Sequence, residues 1–229
     1  MLLKNTGQIG QRFLVYLTGL LVMSLGIVLL IVADLGATPW DVLHVGLYYR
    51  LGLTIGSWSI IVGVFILAIA ALISKEFPLV GAFLNMVLIG FFIDMYLFLP
   101  FMQTPNTFSG KAAMFVCGIV IYCYGMGLYI SAKLGTGPRD SLMIALTART
   151  GWKVRNVRAL MEIFVLVIGW QLGGPVFWGT IILSLTVGPI VGIALPQCQA
   201  LTDRFLAKLK GEKEIHMNQM LKEKNRGAS

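Results

Sequence analysis

The chain is short of charge and of polar chemistry. Only 12% of its 229 residues are charged, with 10 Asp and Glu, 2 His and 3 Cys. So little charge cannot cover a soluble domain of this size, and 57% hydrophobic residues with a mean hydropathy of +0.83 leave most of the surface apolar. The three cysteines, Cys117, Cys123 and Cys198, form no C-x-x-C pair, so neither a zinc site nor a disulfide framework is suggested and they read as small apolar packers. There is no H-x-x-x-H metal pair, no serine-histidine-acid set and no Walker lysine after Gly135-x-Gly137. The sequence therefore points away from an enzyme and from any cofactor. The net charge of +8 sits beside apolar segments and in the tail, where it acts as a topology signal and gives no reason to expect nucleic acid.

What the chain does have is long apolar runs. A hydrocarbon core of about 30 Å takes a helix of about 20 residues, and residues 13–33, 57–74, 79–100, 112–132 and 176–195 meet that need. A sixth run, 157–172, is shorter and carries Arg158 and Glu162. The first run follows Lys4 and Arg12 as a signal peptide would, but its length and its recurrence as 112–132 identify it as a retained span. The reading is an all-α, polytopic helical membrane protein. Basic residues at Lys4 and Arg12, in the Arg149–Arg158 cluster and from Arg204 to Arg226 place both termini in the cytoplasm.

One signature occurs twice. Leu35-Gly36-Ala37-Thr38-Pro39-Trp40-Asp41 is matched 99 positions later by Leu134-Gly135-Thr136-Gly137-Pro138-Arg139-Asp140, and residues 12–52 laid on 111–151 share 13 identities in 41 positions. The chain thus reads as a tandem duplication: a first membrane repeat at 1–103, a linker at 104–111, a second repeat at 112–199 and a basic tail at 200–229. Each repeat is expected to hold three long spans and one short helix, 38–51 or 137–150, ended by Gly52 or Gly151. A helix of about 14 residues is only about 21 Å long. It is therefore either re-entrant, which gives six crossings and inverted halves, or a partial crossing, which gives eight crossings and parallel halves. The helix length favours the first.

Asp41 and Asp140 are the leading functional candidates, because an acidic group inside a membrane domain is costly. Each falls in the first turn of a helix that starts at a Gly/Pro break, where Thr38 or Gly137 is the cap and Pro39 or Pro138 the first residue. A candidate ligand site thus comprises Gly36, Thr38, Pro39, Asp41 and His44 with Gly135, Gly137, Pro138, Arg139 and Asp140. The acids would hold a proton, a cation or an amine, and the helix starts an anionic group. Helix capping alone explains the two acids equally well. Arg139, which replaces Trp40 of the first copy, could face an anion or Asp41 of the other half, or snorkel to the interface. His44 lies on the same helical face as Asp41 and reads first as a packed histidine. Arg158 and Glu162, four residues apart, read as a structural ion pair. Asn85 is expected to bond to a neighbouring helix, and Asp94, six residues before Pro100, to reach the interface. Gly19, Gly26, Gly118 and Gly125 suggest close helix approach.

The repeated Leu-Gly-x-x-Pro-x-Asp element resembles that of the bacterial YczE/YyaS/YitT family of integral membrane proteins, from about Arg12 to Pro196. The string Gly135 to Asp140, followed by Arg155, Arg158 and Glu162, is most similar to the YczE branch. YitT proteins typically have a Gly-Gly-Thr-Asp version and a soluble C-terminal domain, where this chain has a short basic tail. The resemblance implies a multi-pass protein of the bacterial inner (cytoplasmic) membrane and supplies no substrate. The partners expected are the lipid bilayer and a small-molecule or ion ligand, with the tail offering a surface to a partner protein or a second copy. The function expected is a small secondary transporter or permease component. The alternative is a regulator or scaffold of a biosynthetic or export complex.

Overall fold

The computed structural model describes residues 8–76, 80–135 and 137–226, with side chains as far as residue 209. Eight helices follow in order: α1 Ile9–Ala33, α2 Pro39–Leu51, α3 Ile55–Ser74, α4 Val80–Leu97, α5 Phe108–Ser131, α6 Pro138–Thr150, α7 Val154–Gln171 and α8 Trp178–Arg226. The fold is all-helical, and α1, α3, α4, α5 and the first 32 residues of α8 are each long and apolar enough to span a bilayer. The sixth expected span, α7, falls short of that standard because its 18 residues include Arg155, Arg158 and Glu162. Phe65, Leu72, Phe91, Phe164 and Leu185 lie exposed on the outside, as a lipid-facing surface requires.

The centre of the molecule is the crossing of α1 and α5. A side chain at Gly19 would strike Tyr129, at Gly26 Tyr122, at Gly118 Leu30 and at Gly125 Met23. The partner's number falls as the glycine's rises, so the two helices run antiparallel. Leu30 and Met23 are also the residues 99 positions before Tyr129 and Tyr122. Close backbone approach at small residues is how helices associate where water offers no hydrophobic drive. Tyr16, Leu20, Ile27 and Leu30 of α1 pack there with Phe115, Ile119 and Tyr122 of α5 in the main core.

Hydrogen bonds sort the helix ends onto two faces of the bundle. On one face, Lys111 Nζ bonds Asp34 Oδ2 at 2.8 Å, joining the end of α1 to the start of α5. There too Gly179 N–H donates to Leu35 O at 3.0 Å, and Gly56 N–H to Asp94 Oδ1 at 2.8 Å, joining the start of α3 to the end of α4. On the other face, Tyr16 donates to Gly81 O at 2.8 Å, Arg12 to Ala132 O at 3.4 Å and Gln8 to Leu206 O at 2.9 Å. These bonds join the starts of α1 and α4, the end of α5 and the Leu206 turn of α8. The 13-residue α2 connects the end of α1 to the start of α3, both on the first face, so it enters the bundle and returns. By the same logic α6 returns to the second face. Each short helix packs on a long helix of the other half, α2 on α7 and α6 on α3.

The basic tail is not a separate element. Helix α8 runs without a break through Pro189 and Pro196 to Arg226, and Thr202, bonded to Ser131 at 2.6 Å, keeps residues 200–209 part of the bundle. Asp94 does more than reach the interface: besides Gly56 N–H it accepts from the Thr54 hydroxyl at 2.5 Å, capping α3 from another helix.

Candidate functional site

Both short helices start in the interior because of a glycine. Gly36 and Gly135 have φ of +126° and +136°, which turns the chain inward. A Cβ on Gly36 would lie 2.5 Å from Thr180 N at the start of α8, and one on Gly135 3.1 Å from Gly81 Cα at the start of α4. Each glycine therefore seats its loop against a helix of the opposite half. Neither glycine lines the cavity described below.

The first break closes on itself. Thr38 caps α2 by accepting from Asp41 N–H at 3.4 Å, and its hydroxyl donates to Asp41 Oδ2. Asp41 is 1% exposed and lies behind the cavity wall, outside its lining. Its Oδ1 is 3.7 Å from His44 Nδ1 and 3.9 Å from Arg139 Nη2. Both distances are too long for hydrogen bonds, and the one to Arg139 is a charge proximity in a medium of low dielectric. His44 is 2% exposed and its Nδ1 has no hydrogen-bond partner.

The second break is open. Gly137 caps α6 without a side chain to offer, and a Cβ there would stand 2.8 Å from Asn85 Oδ1 of α4. Asn85 is 3% exposed, and its Nδ2 makes no hydrogen bond, so the expected bond to a neighbouring helix is not made by that nitrogen. Arg139 lays its guanidinium over Trp40 at 4.9 Å, a cation–π contact between the two halves. It is therefore not an interfacial, snorkelling residue.

The two breaks flank a cavity of about 410 Å³ inside the bundle, within the range of small-molecule sites. Thr38, Pro39, Trp40 and His44 of the first half line it together with Gly137, Pro138, Arg139 and Asp140 of the second. So do Arg158 and Glu162, whose Nε and Oε1 are 3.0 Å apart and which the sequence suggested only as a structural pair. Tyr129 and Arg158 stand beside Asp140. Methionines 23, 86, 126, 143 and 161 supply much of the apolar wall. Met143 stands on α6 where the first copy has His44, a difference visible in the sequence, whereas Ser59, Tyr122, Tyr129 and the other four methionines escaped the sequence reading, since each sits on a long helix with no local motif. Their only signal was that Tyr122 and Tyr129 fall a few residues from the crossing glycines. Among the described residues no group of three His, Cys, Asp or Glu is placed to hold a metal ion.

The whole membrane region has relatives. Residues 10–196 match a family of unknown function, DUF6198. The chain is 41% identical over 210 residues to the uncharacterized membrane protein YczE of Bacillus subtilis, covering 90% of this chain and 97% of that one. It is 28% identical to the uncharacterized protein YyaS of the same organism, over 81% of this chain and 93% of the other, and 29% identical to an uncharacterized protein of Haemophilus influenzae, over 77% and 80%. No solved structure matches the chain. With nearly the full length of YczE aligned and the family match running from α1 into α8, the chain belongs to the DUF6198 family, as a YczE-like membrane protein.

Proposed function

We propose that the protein is a small secondary transporter, or the permease component of one, for a small molecule crossing the bacterial cytoplasmic membrane. The observation that carries this is the central cavity, walled by the starts of two inverted broken helices and lined by ionisable groups from both halves. Binding at the meeting of inverted repeats, on discontinuous helices, is the architecture through which such a site is opened to alternate sides. Arg139 reaching from one half to Trp40 and Asp41 of the other gives the two halves a contact to break and remake. Topology supports the same reading. Lys75, Lys133, Arg149, Lys153 and Arg155 fall on the second face, where α1 starts, and Arg50 and Lys111 on the first, so the second face is assigned to the cytoplasm.

The test is uptake by proteoliposomes across metabolite classes, with and without a proton gradient. Protein-dependent accumulation of one class is expected, and its absence for every class would remove the transport reading. A regulator or scaffold draws on one observation, the continuation of α8 as one helix to Arg226. The two readings separate on deletion of residues 210–229, chosen because Thr202 and Leu206 make contacts that a cut at 200 would destroy. A transporter keeps its activity after that deletion, and a scaffold loses it.

A further inference from the structure

We infer that the cavity is a site for a small amphipathic zwitterion, an amino acid with a large apolar side chain, its carboxylate held at the start of α6 and its ammonium at Asp140. The inference rests on the cavity being a ligand site and adds the class of ligand.

Three observations assemble the carboxylate end. The first-turn N–H groups of α6 have no side-chain cap, because Gly137 stands where Thr38 stands in α2. Unsatisfied N–H groups at the positive end of a helix dipole bind anions. Beside them Asn85, 97% buried and in the cavity wall, turns its Oδ1 toward Gly137 and lies near Tyr16, and its Nδ2 makes no hydrogen bond of normal geometry. A buried amide nitrogen without a well-formed hydrogen bond favours an acceptor, which a ligand carboxylate would supply. The third group is Arg139, whose fork is oriented by Trp40 and whose nearest carboxylate oxygen, at 3.9 Å, is beyond hydrogen-bond reach.

Charge decides against a plain anion. The site and the residues directly behind it hold three carboxylates, Asp41, Asp140 and Glu162, against two guanidinium groups, Arg139 and Arg158. Glu162 is matched by Arg158 at 3.0 Å, and Asp41 faces Arg139. Asp140 alone has no ion pair within 4 Å among the described residues. A bare carboxylate would add to this negative excess in a low-dielectric space. A zwitterion adds no net charge and brings its own cation to Asp140. The apolar remainder meets Met143, Met161, Met86 and Trp40. Methionine walls adapt to varied apolar shapes, which suits a group of bulky side chains.

The experiment measures binding to the purified full chain in detergent or nanodiscs, by isothermal titration and thermal melting. Its probes are leucine, methionine, phenylalanine and tryptophan. Two analogues of phenylalanine accompany them, 3-phenylpropionate without the ammonium and 2-phenylethylamine without the carboxylate. At least one of the four amino acids binds and raises the melting temperature, and for phenylalanine each analogue binds at least about tenfold more weakly, the order expected for loss of one charge-assisted contact. Asp140→Asn narrows the gap between phenylalanine and 3-phenylpropionate, while Arg139→Lys and Asn85→Ala narrow the gap to 2-phenylethylamine. Because the analogues are compared on the unaltered protein, a variant that fails to fold does not void the test. Failure of all four amino acids to bind at millimolar concentration, or equal binding of an analogue, overturns the inference. Binding without proteoliposome uptake upholds it and removes transport instead. Uptake of other solutes with no amino acid bound removes it and leaves transport standing.

Discussion

The two breaks carry one sequence template and perform different tasks. At the first, Thr38 caps α2, Asp41 closes back on the cap, and eight of the helix's first residues, Pro39 to Gly46, are buried. At the second, no side chain caps α6, only Pro138 and Ala145 are buried, and Arg139 and Asp140 face open space. The difference traces to two exchanges, Thr38 for Gly137 and Trp40 for Arg139. A side-chain cap satisfies the helix start internally; a glycine cap leaves it for something else to satisfy.

The comparison is broken most severely at the turn glycines. Gly36→Ala sets a Cβ 2.5 Å from backbone at Thr180 and forces a positive φ on alanine, at a cost of about 3 kcal/mol or more. Gly135→Ala has its nearest neighbour at 3.1 Å and costs less, about 2 kcal/mol. Thermal melting of the two variants should therefore rank Gly36→Ala the lower, and equal melting temperatures would mean that the breaks are equally tight.

Next come the acids. Asp41→Asn removes a buried charge facing Arg139 and disturbs the Thr38 contact, lowering stability by about 1–2 kcal/mol. Asp140→Asn lowers stability less than Asp41→Asn, by under about 1 kcal/mol, and instead abolishes ligand binding and uptake. A reversal, with Asp140→Asn unfolding the protein and Asp41→Asn leaving it stable but inactive, would exchange the roles of the two breaks. Thr38→Ala sharpens the contrast: it takes away a cap worth about 1 kcal/mol, a loss that α6 has no side chain to suffer. The smallest effect belongs to Lys111→Ala. Its pairing with Asp34 is partly exposed, and removing it should shift stability by no more than about 0.5 kcal/mol.

Much of this was legible before any coordinates. Apolar length marked five of the spans, and the Thr/Pro/Asp and Gly/Pro/Asp strings located the starts of α2 and α6 within one residue. What could not be read was the direction in which a short helix points. A 13-residue helix enters and returns, or crosses, according to where its flanking helices end, and that is visible only through contacts such as Lys111 with Asp34 and Arg12 with Ala132. Helix α7 was the hardest segment, because Arg158 and Glu162 weaken its apolar signal for the same reason that they line the cavity. The cavity's tyrosines and its methionines other than Met143 carried no motif, since they meet only when α1, α4, α5 and α7 are packed together. Asn85 was noticed as an intramembrane polar residue, but its contact with Gly137 depends on α4 meeting a helix start some 50 residues on. Thr136, within the second copy of the signature, and Leu79, the first residue of the expected run 79–100, lie outside the described residues.

The central claim is that the open break binds what the protein moves. The most direct measurement is proteoliposome uptake by Asp140→Asn beside the unaltered protein, with both shown by size exclusion and melting to be folded alike. The account predicts that uptake falls to the level of empty vesicles in Asp140→Asn. Uptake by the folded Asp140→Asn variant at the unaltered rate would contradict it.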